Sequence, residues 1–301
     1  MGTGHIRTHK TTVQSLKVCF ADLVDRKLDD VTPLDVERWR TQRLNDGLKP
    51  SSVNRQLDDL KSAMTKAETW IKGFSSPIAG VKRVKVDSNR RVRFLSDEEE
   101  TSLRRALDER EERLRQGRDN ANVWRRERDY ELLPDLRLLA YADHLKPLVL
   151  LSLNTGMRQG EVFALRWSDV DPQRREVTVA GTTAKSGQTR HIPMNDEAHK
   201  VLSRWRTQSG GTGLVFPGRD GSKMNNVRTS WEGVLETAEI SDFRWHDLRH
   251  TFASKLVMAG VDLNTVRELL GHSDIKMTLR YAHLAPEHKA AAVAKLCKSQ
   301  F

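Results

Sequence analysis

The chain has 301 residues and a net charge of +10, which favours a polyanionic partner such as a nucleic acid. Its two cysteines, Cys19 and Cys297, lie near opposite ends and indicate neither a disulfide framework nor a metal site. The start lacks the apolar core of a signal peptide, and the longest apolar run, near 148–153, is too short to span a membrane. We therefore expect a soluble cytoplasmic protein with no membrane partner.

Residues 11–73 are predicted to be all-helical. Thr32 and Pro33 are typical of a helix start, Gly47 closes that helix, and a further helix begins near Pro50. Polar side chains at the start of this last helix are candidates for contacts with a DNA groove or backbone, with ordinary helix capping as an equal alternative; they are Ser51, Asn54 and Arg55.

A basic segment, residues 81–93, is predicted to link two domains. It carries six cations against one acid, Asp87, and such a connector can lie along a phosphate backbone. The cations are Lys82, Arg83, Lys85, Arg90, Arg91 and Arg93. After it, Ser96 and Glu99 form a capping-box pattern, and the charge-rich stretch 104–131 is predicted to be an exposed helix or insertion without chemistry.

Arg158 is predicted to lie at a turn into a helix, directly after a buried helix that ends at Asn154-Thr155-Gly156. Glu161 follows one turn later on the same side and is placed to orient the arginine. A surface arginine with a helix salt bridge is the alternative interpretation.

Two alternating segments, 176–180 and 189–194, are predicted to pair as strands around a hairpin turn that contains Lys185. A lysine at a hairpin tip is usually just exposed, but it could also be delivered over a phosphate as a mobile acid. Helices are predicted after Pro193 and over 225–238, with a glycine-rich loop at 210–221 between them.

The stretch from Trp245 to Tyr281 concentrates candidate chemistry. Helical spacing places His246, Arg249 and His250 together on a helix that Gly260 ends. A second helix is predicted from Asp262 to Leu270, and His272 follows directly after Gly271. Ser273 or Asp274 would then cap a third helix that carries Tyr281.

These residue types suit attack on a phosphodiester, whose negative oxygens and poor leaving group must both be overcome. The planar fork of arginine matches phosphate, and tyrosine is a nucleophile that needs cationic or basic neighbours. Taken singly, such residues more often belong to a solvated helix face or to packing, so the interpretation depends on their combination.

Several motifs together resemble the tyrosine recombinase (phage integrase) family. They are TGMRQGE at 155–161, AKSGQTRHIPM at 184–194, HDLRH at 246–250 and ELLGHSD at 268–274, with Tyr281 nine residues after His272. The set spans about 150 residues in the family's order, and the helical N-terminal region is similar to the family's core-binding domain.

The resemblance implies a role for each matching residue. Arg158, Arg249 and His272 would bind the scissile phosphate, and Tyr281 would attack it to leave a 3′-phosphotyrosine. Lys185 would protonate the leaving 5′ oxygen, and His246 would assist proton transfer at Tyr281. Glu161 and His250 would support these groups. The family requires no metal, nucleotide or other cofactor.

The resemblance also implies the architecture and the partners. We expect a mainly α protein with an all-helical core-type DNA-binding domain at 5–80, the basic linker at 81–93, and a catalytic domain at 94–284. That domain would be mixed α/β, mostly helical with a small antiparallel sheet, and a tail at 285–301 would pack in cis or on a neighbouring subunit. The partners would be double-stranded DNA at a specific core site, a homotetramer on paired sites, and accessory DNA-bending proteins.

Two departures from the family pattern leave full recombination by this chain open. The core-binding region lacks the family's usual first helix and an arm-type domain, which is compatible with a truncation at the N-terminus, and the insertion at 104–131 is long. A type IB topoisomerase with similar chemistry, and a catalytically silent DNA-binding protein, are the alternative interpretations.

If the basic segment 81–93 lies along phosphates, DNA affinity should fall steeply with salt. Six phosphate contacts release enough counter-ions to weaken binding about 10³-fold between roughly 50 and 200 mM salt. Titration of a fluorescent duplex at several salt concentrations measures this slope, and a flat dependence would contradict the placement.

Overall fold

A computed structural model describes residues 5–86, 92–181 and 187–285, with side chains from residue 12 onward. The chain divides into two compact units, residues 1–90 and 91–301. Among the described helices, none is both long enough and apolar enough to cross a membrane.

The first unit is helical, as the sequence predicts. Its helices are α1 (His5–Cys19), α2 (Ala21–Val24), α3 (Pro33–Asn45) and α4 (Pro50–Trp70), with a 3₁₀ turn at Leu28–Asp30. Thr32 caps α3 in a reciprocal capping box with Asp35, and Pro33 occupies the first helical position, where its missing N–H costs nothing.

The core of the first unit forms where α4 packs against the shorter helices. Phe20 stacks on Trp39 with ring centroids 4.3 Å apart, and Val36, Leu57 and Ile78 are fully buried beside this pair. The apolar side of α4 that the sequence predicted is therefore the face that the unit buries.

Asn54, which the sequence predicts as a DNA contact, lies on that buried side, and the DNA contact stays a prediction. Its side-chain amide donates to the carbonyl of Val84 at 2.9 Å, and its side-chain oxygen accepts from the N–H of Val84 at 2.8 Å. Both polar groups of the side chain are thus used inside the unit, whereas Ser51 and Arg55 are exposed.

The start of the predicted linker is anchored in the first unit. Arg40 donates to the carbonyl of Lys82 at 2.7 Å, and Lys61 donates to the carbonyl of Val81. The side chains of Lys82, Arg83 and Lys85 are exposed, and Arg83 forms a bidentate ion pair with Asp58. The segment 81–84 is therefore ordered structure tied to α3 and α4.

The end of the predicted linker belongs to the second unit, where Arg93 has internal partners, and its contact with DNA stays a prediction. Its guanidinium donates to both carboxylate oxygens of Glu99 at 2.7 and 2.5 Å and to the carbonyls of Phe94 and Ser241. It also lies over the ring of Phe243. Arg90 and Arg91 lie outside the described residues.

The second unit is mostly helical, as the sequence predicts. Its helices are α5 (Asp97–Arg126), α6 (Leu145–Thr155), α7 (Gln159–Ala164), α8 (Asp196–Ser209), α9 (Arg228–Thr237), α10 (Trp245–Met258) and α11 (Leu263–Leu270). Shorter 3₁₀ turns occur at Leu136–Leu138, Trp167–Asp169, Ile275–Met277 and Leu279–Leu284. The capping box of Ser96 and Glu99 starts α5, which continues through most of the charge-rich stretch.

A small antiparallel sheet accompanies the helices of the second unit. It contains β1 (Val170–Asp171), β2 (Glu176–Val179) and β3 (Arg190–Pro193) in the order β1-β2-β3. The register pairs Val177 with Ile192, and both are fully buried. The predicted pairing of the two strands is correct, although residues 182–186 of the turn lie outside the described residues. The short strand β1 was not predicted.

The helix α6 is the centre of this unit's core. Nearly all of its side chains are buried, and Gly156 ends it in the left-handed region at φ +60°. A Cβ at Gly156 would overlap the ring of Phe252 on α10, so only glycine allows this close approach. The turn into α7 is thereby held against α10.

The predicted third helix after His272 is wrong in type. The chain instead forms the two 3₁₀ turns Ile275–Met277 and Leu279–Leu284; Thr278 lies between them and caps the second, and both Thr278 and Tyr281 are buried. Side chains three residues apart eclipse in a 3₁₀ helix, whereas they diverge by about 60° in an α-helix. The tighter winding therefore lets Thr278 and Tyr281 face the protein interior together.

Replacing Asn54 by alanine should destabilise the first unit, because it leaves the N–H and C=O of Val84 without their partner. The expected loss is about 1–3 kcal/mol in the free energy of unfolding, measured by urea denaturation. The exposed neighbour Ser51→Ala is the control and should change stability by less than about 0.5 kcal/mol. Equal stability of Asn54→Ala and wild type would contradict the structural role.

Candidate active site

A cavity of about 320 Å³ in the second unit brings together most of the predicted catalytic residues. It opens between the turn before α7, the face of α10 and the segment that follows α11. Its lining residues are Arg158, His246, Arg249, His250, Gly271, His272, Ser273, Met277, Arg280 and Tyr281. Residues from distant parts of the sequence therefore share one concave surface.

Arg158 enters the cavity from the residue directly before α7. Its guanidinium donates to Oε1 of Glu161 at 2.9 Å, and its backbone N–H donates to Oε2 at 2.8 Å. Glu161 is 3 % exposed, and its neighbouring arginines hold the pKa of its carboxyl below the usual value against the effect of burial. The predicted contact through which Glu161 would orient Arg158 is therefore present in the structure.

Arg249 is the most deeply buried cation of the cavity, with 2 % of its surface exposed. Its guanidinium donates to the carbonyls of Gly156 at 2.8 Å and Leu270 at 2.6 Å. Burial and the nearby Arg158 lower its pKa to about 9, so it remains protonated at neutral pH at an electrostatic cost. An anion in the cavity would relieve that cost.

His272 follows the left-handed Gly271 that ends α11, and its ring is held by Thr278. The Nδ1 atom of His272 lies 2.8 Å from the hydroxyl of Thr278. Burial, with Arg249 and Arg158, lowers the pKa of His272 to about 3, so the ring is neutral at pH 7. Because Thr278 contacts Nδ1 of this neutral ring, the other ring nitrogen, Nε2, is available to a ligand.

Tyr281 is buried at the edge of the cavity, with 1 % of its surface exposed. Its hydroxyl lies 2.6 Å from Nδ1 of His250. Burial raises the pKa of Tyr281 to about 12, although Arg249 and Arg280 oppose this shift. Burial also lowers the pKa of His250 to about 4, so the pair is neutral at pH 7.

The two histidines of α10 lie at different distances from Tyr281, and their catalytic roles stay predictions. The resemblance implies that His246 assists proton transfer at Tyr281 and that His250 has a supporting role. In the structure, the Tyr281 hydroxyl contacts His250. The ring of His246 packs edge-on against His250 with centroids 5.0 Å apart. The spacing of four residues predicts that the rings share a face, but not which one reaches the tyrosine.

Three residues around the cavity were missed by sequence reasoning. Thr278 holds His272, Arg280 lines the cavity, and Arg190 on β3 donates to both oxygens of Glu161. Arg190 lies within the motif AKSGQTRHIPM, which the sequence already singles out. The alternating pattern of a strand does not, however, indicate which residue pairs with a buried arginine.

The remaining predicted residues lie elsewhere. Lys185 lies outside the described residues, between Gly181 and Gly187, so its predicted role stays a prediction. Ser51, Arg55, Lys82, Arg83 and Lys85 belong to the first unit. In the described ranges, 5–86, 92–181 and 187–285, no group of three or more His, Cys, Asp or Glu residues is arranged to hold a metal ion.

The stability of the second unit should fall as the pH is lowered from 7 toward 4. His250 and His272 have folded pKa values of about 4 and 3, below the value of about 6.5 for an unfolded histidine. The unfolded chain therefore binds more protons in this window, and the stability present above pH 6.5 is lost as pH falls. Thermal unfolding midpoints across this range measure the effect.

His272→Gln should flatten this pH dependence, because a histidine whose pKa is lowered by burial is removed. The exposed His283 belongs to the same segment, and His283→Gln is the matched control that should leave the slope unchanged. An equal slope in wild type and His272→Gln would contradict the depressed pKa of His272.

Comparisons with known proteins place the second unit in a family. Residues 136–288, about half of the chain, match the model of the phage integrase family. The integrase of Salmonella phage P22 is 37 % identical over 155 residues, which cover 48 % of this chain and 40 % of that protein. Tyrosine recombinase XerC of Xanthomonas campestris pv. campestris is 38 % identical over 151 residues, which cover 48 % of this chain and 46 % of that protein.

A solved structure shares the fold. The Tn1549 transposon integrase, in complex with a circular intermediate DNA, aligns with a TM-score of 0.70 at 20 % identity over 99 % of this chain and 95 % of that chain. The matched segments span less than half of the two curated relatives' own lengths. On the match of its second unit, the chain belongs to the phage integrase family of tyrosine recombinases.

Proposed function

We propose that the chain is a site-specific DNA recombinase that cleaves and rejoins strands through Tyr281. The observation that carries this proposal is the meeting of Arg158, Arg249 and His272 with Tyr281 in one cavity. The named activities of its relatives, an integrase and a tyrosine recombinase, support the same function.

The charges of the cavity favour a phosphodiester as its ligand. Burial and the nearby Arg158 lower the pKa of Arg249, and Glu161 supplies a negative charge beside the two arginines. A bound phosphate would offset the remaining positive charge and accept several donors at once. It would also raise the pKa values of His250 and His272, since a nearby anion favours the protonated ring.

The proposed reaction is a transfer of the phosphoryl group from the DNA 5′ oxygen to tyrosine. The oxygen of Tyr281 forms the new bond to phosphorus, and the bond from phosphorus to the 5′ oxygen breaks. The tyrosine proton passes to His250, which already contacts the hydroxyl, and Lys185 supplies a proton to the leaving 5′ oxygen. The reverse attack by a 5′ hydroxyl rejoins the strand without an external energy source.

The resting position of Tyr281 agrees with a nucleophile that becomes active only on DNA. A hydroxyl with a pKa of about 12 is protonated at neutral pH and is a weak nucleophile. Phosphate binding that protonates His272 and polarises the site would lower the activation barrier for attack by the Tyr281 hydroxyl.

We further propose that the partner is double-stranded DNA at a specific core site, bound by the two units of the chain. The exposed cations Arg55, Lys82 and Lys85 of the first unit are candidates for phosphate contacts. Assembly as a homotetramer on paired sites, with accessory DNA-bending proteins, follows from the family and belongs to the same proposal.

Tyr281→Phe should keep DNA binding and lose covalent attachment, because only the nucleophilic oxygen is removed. Duplexes selected from a random library by binding to Tyr281→Phe serve as substrates, so the target sequence emerges from the selection itself. Nicked versions of these duplexes are incubated in EDTA with wild type or Tyr281→Phe, and protein–DNA adducts are resolved on a denaturing gel.

An adduct that forms in EDTA and requires Tyr281 is the expected result. Tyr130→Phe is the matched control, because Tyr130 is exposed on the charge-rich segment, and it should form the adduct normally. An adduct that survives in Tyr281→Phe would refute the assignment of the nucleophile. Cleavage that occurs only with magnesium would indicate a metal nuclease, and equal adducts on unselected DNA would indicate a topoisomerase.

A further inference from the structure

Arg190 is a buried cation outside the cavity lining, and it touches two of the segments that form the cavity. It lies on β3 with 8 % of its surface exposed. Its Nη1 and Nη2 atoms donate to Oε1 and Oε2 of Glu161 at 3.2 and 2.7 Å, and its Nε donates to the carbonyl of Leu269 at 3.0 Å. One guanidinium therefore joins β3 to the start of α7 and to the end of α11.

Gly271 shows how closely Arg190 approaches the turn before His272. A Cβ at Gly271 would lie 2.8 Å from Cδ of Arg190 and 3.1 Å from its Nη1. Such distances are well inside van der Waals contact, so any larger residue would displace the arginine. The backbone that presents His272 therefore rests on the Arg190 side chain.

Glu161 is shared between Arg190 and Arg158. Its Oε1 accepts from both guanidinium groups, and its Oε2 accepts from Arg190 and from the backbone N–H of Arg158. Buried carboxylates are stable only when their lone pairs are satisfied. Arg190 supplies two of these donors, which leaves the guanidinium of Arg158 attached to Glu161 through one bond.

We infer that Arg190 is a positioning residue for the phosphate site, acting on Arg158 through Glu161 and on His272 through Leu269 and Gly271. This inference rests on the proposed function of the cavity. Arg190 is absent from the lining of the cavity, so its action on a bound phosphate is indirect.

The charge balance gives Arg190 a second effect on Arg158. With Arg190 present, the single negative charge of Glu161 is divided between two arginines. Without it, Glu161 is free to pair fully with Arg158, which would neutralise the cation that the phosphate needs. Loss of Arg190 should therefore weaken the interaction of the site with the negative charge of the phosphate more than it weakens the other interactions of the site.

The test compares two scissile linkages in the selected nicked duplexes, a phosphodiester and a methylphosphonate. The methylphosphonate replaces one non-bridging oxygen by a methyl group and carries no negative charge. A defect in arginine placement slows cleavage of the phosphodiester more than cleavage of the methylphosphonate. A general loss of folded protein slows cleavage of both linkages by the same factor.

The variants are Arg190→Met, Arg190→Lys and the control Arg110→Met. Arg110 is a matched control because it also forms a bidentate ion pair, with Asp143 at 2.9 and 2.6 Å, and does not line the cavity. Circular dichroism and the thermal midpoint first establish how much of each variant is folded. Arg190→Lys keeps the positive charge and the stem but lacks the planar fork, so it serves where Arg190→Met does not fold.

Arg190→Met should lower single-turnover cleavage of the phosphodiester about 100-fold, the size expected from a misplaced catalytic group. Cleavage of the methylphosphonate should fall by less than about tenfold, so the ratio of the two rates changes. Arg190→Lys should shift the ratio in the same direction by a smaller factor, and Arg110→Met should leave it unchanged. A folded Arg190→Met or Arg190→Lys with the wild-type ratio would overturn the inference.

A second measurement does not require cleavage and separates this inference from the proposed function. Inorganic sulfate is titrated into the full chain while the ring signals of His272 are followed by NMR. We expect weaker sulfate binding in Arg190→Met than in wild type or Arg110→Met. If wild type forms no adduct, the proposed function fails, and equal sulfate affinity in the three proteins would overturn the role of Arg190 by itself.

Discussion

Repulsion among guanidinium groups is the constraint around which the second unit is arranged. Arg158, Arg190 and Arg249 converge on a region that contains one carboxylate, Glu161. Burial makes this arrangement costly, as the lowered pKa of Arg249 indicates. The surrounding core must therefore supply enough packing free energy to keep the cations together before any anion is bound.

Helix ends provide part of the compensation. The last carbonyls of a helix lack partners within the helix and carry the negative end of its dipole. Arg249 donates to Gly156, just past the end of α6, and to Leu270, the last residue of α11. Arg190 donates to Leu269 in the same last turn of α11. Two helix C-termini thus stabilise two buried arginines without adding any carboxylate, so the cavity keeps its net positive charge.

The sequence was most informative where a local rule decides the structure. Asp262 caps α11 and Gly271 ends it in the left-handed region, as side-chain type alone predicts. The same rule placed Arg158 at a helix start and Glu161 one turn away, because both positions depend on a few neighbouring residues. The family motifs then supplied the grouping of Arg158, Arg249, His272 and Tyr281, which no local pattern contains.

The sequence was least informative where a distant partner decides the role. Asn54 and Arg93 have polar side chains in basic surroundings, but their partners, Val84 and Ser241 among them, lie 30 and 148 residues away. Arg190 has the same character, because its importance follows from Glu161 and Leu269 and not from its strand. The 3₁₀ winding around Tyr281 accompanies the burial of Thr278 and Tyr281, which helix-capping rules do not consider.

The burial of Tyr281 has a chemical consequence for the chain in the absence of DNA. Reagents that modify tyrosine, such as nitrating or iodinating agents, act on accessible rings and react fastest with the phenolate. Tyr281 is 1 % exposed, with a pKa of about 12, whereas Tyr130 is 54 % exposed. The packing that keeps Tyr281 protonated therefore also shields it from oxidative damage, and the exposed Tyr130 would react first.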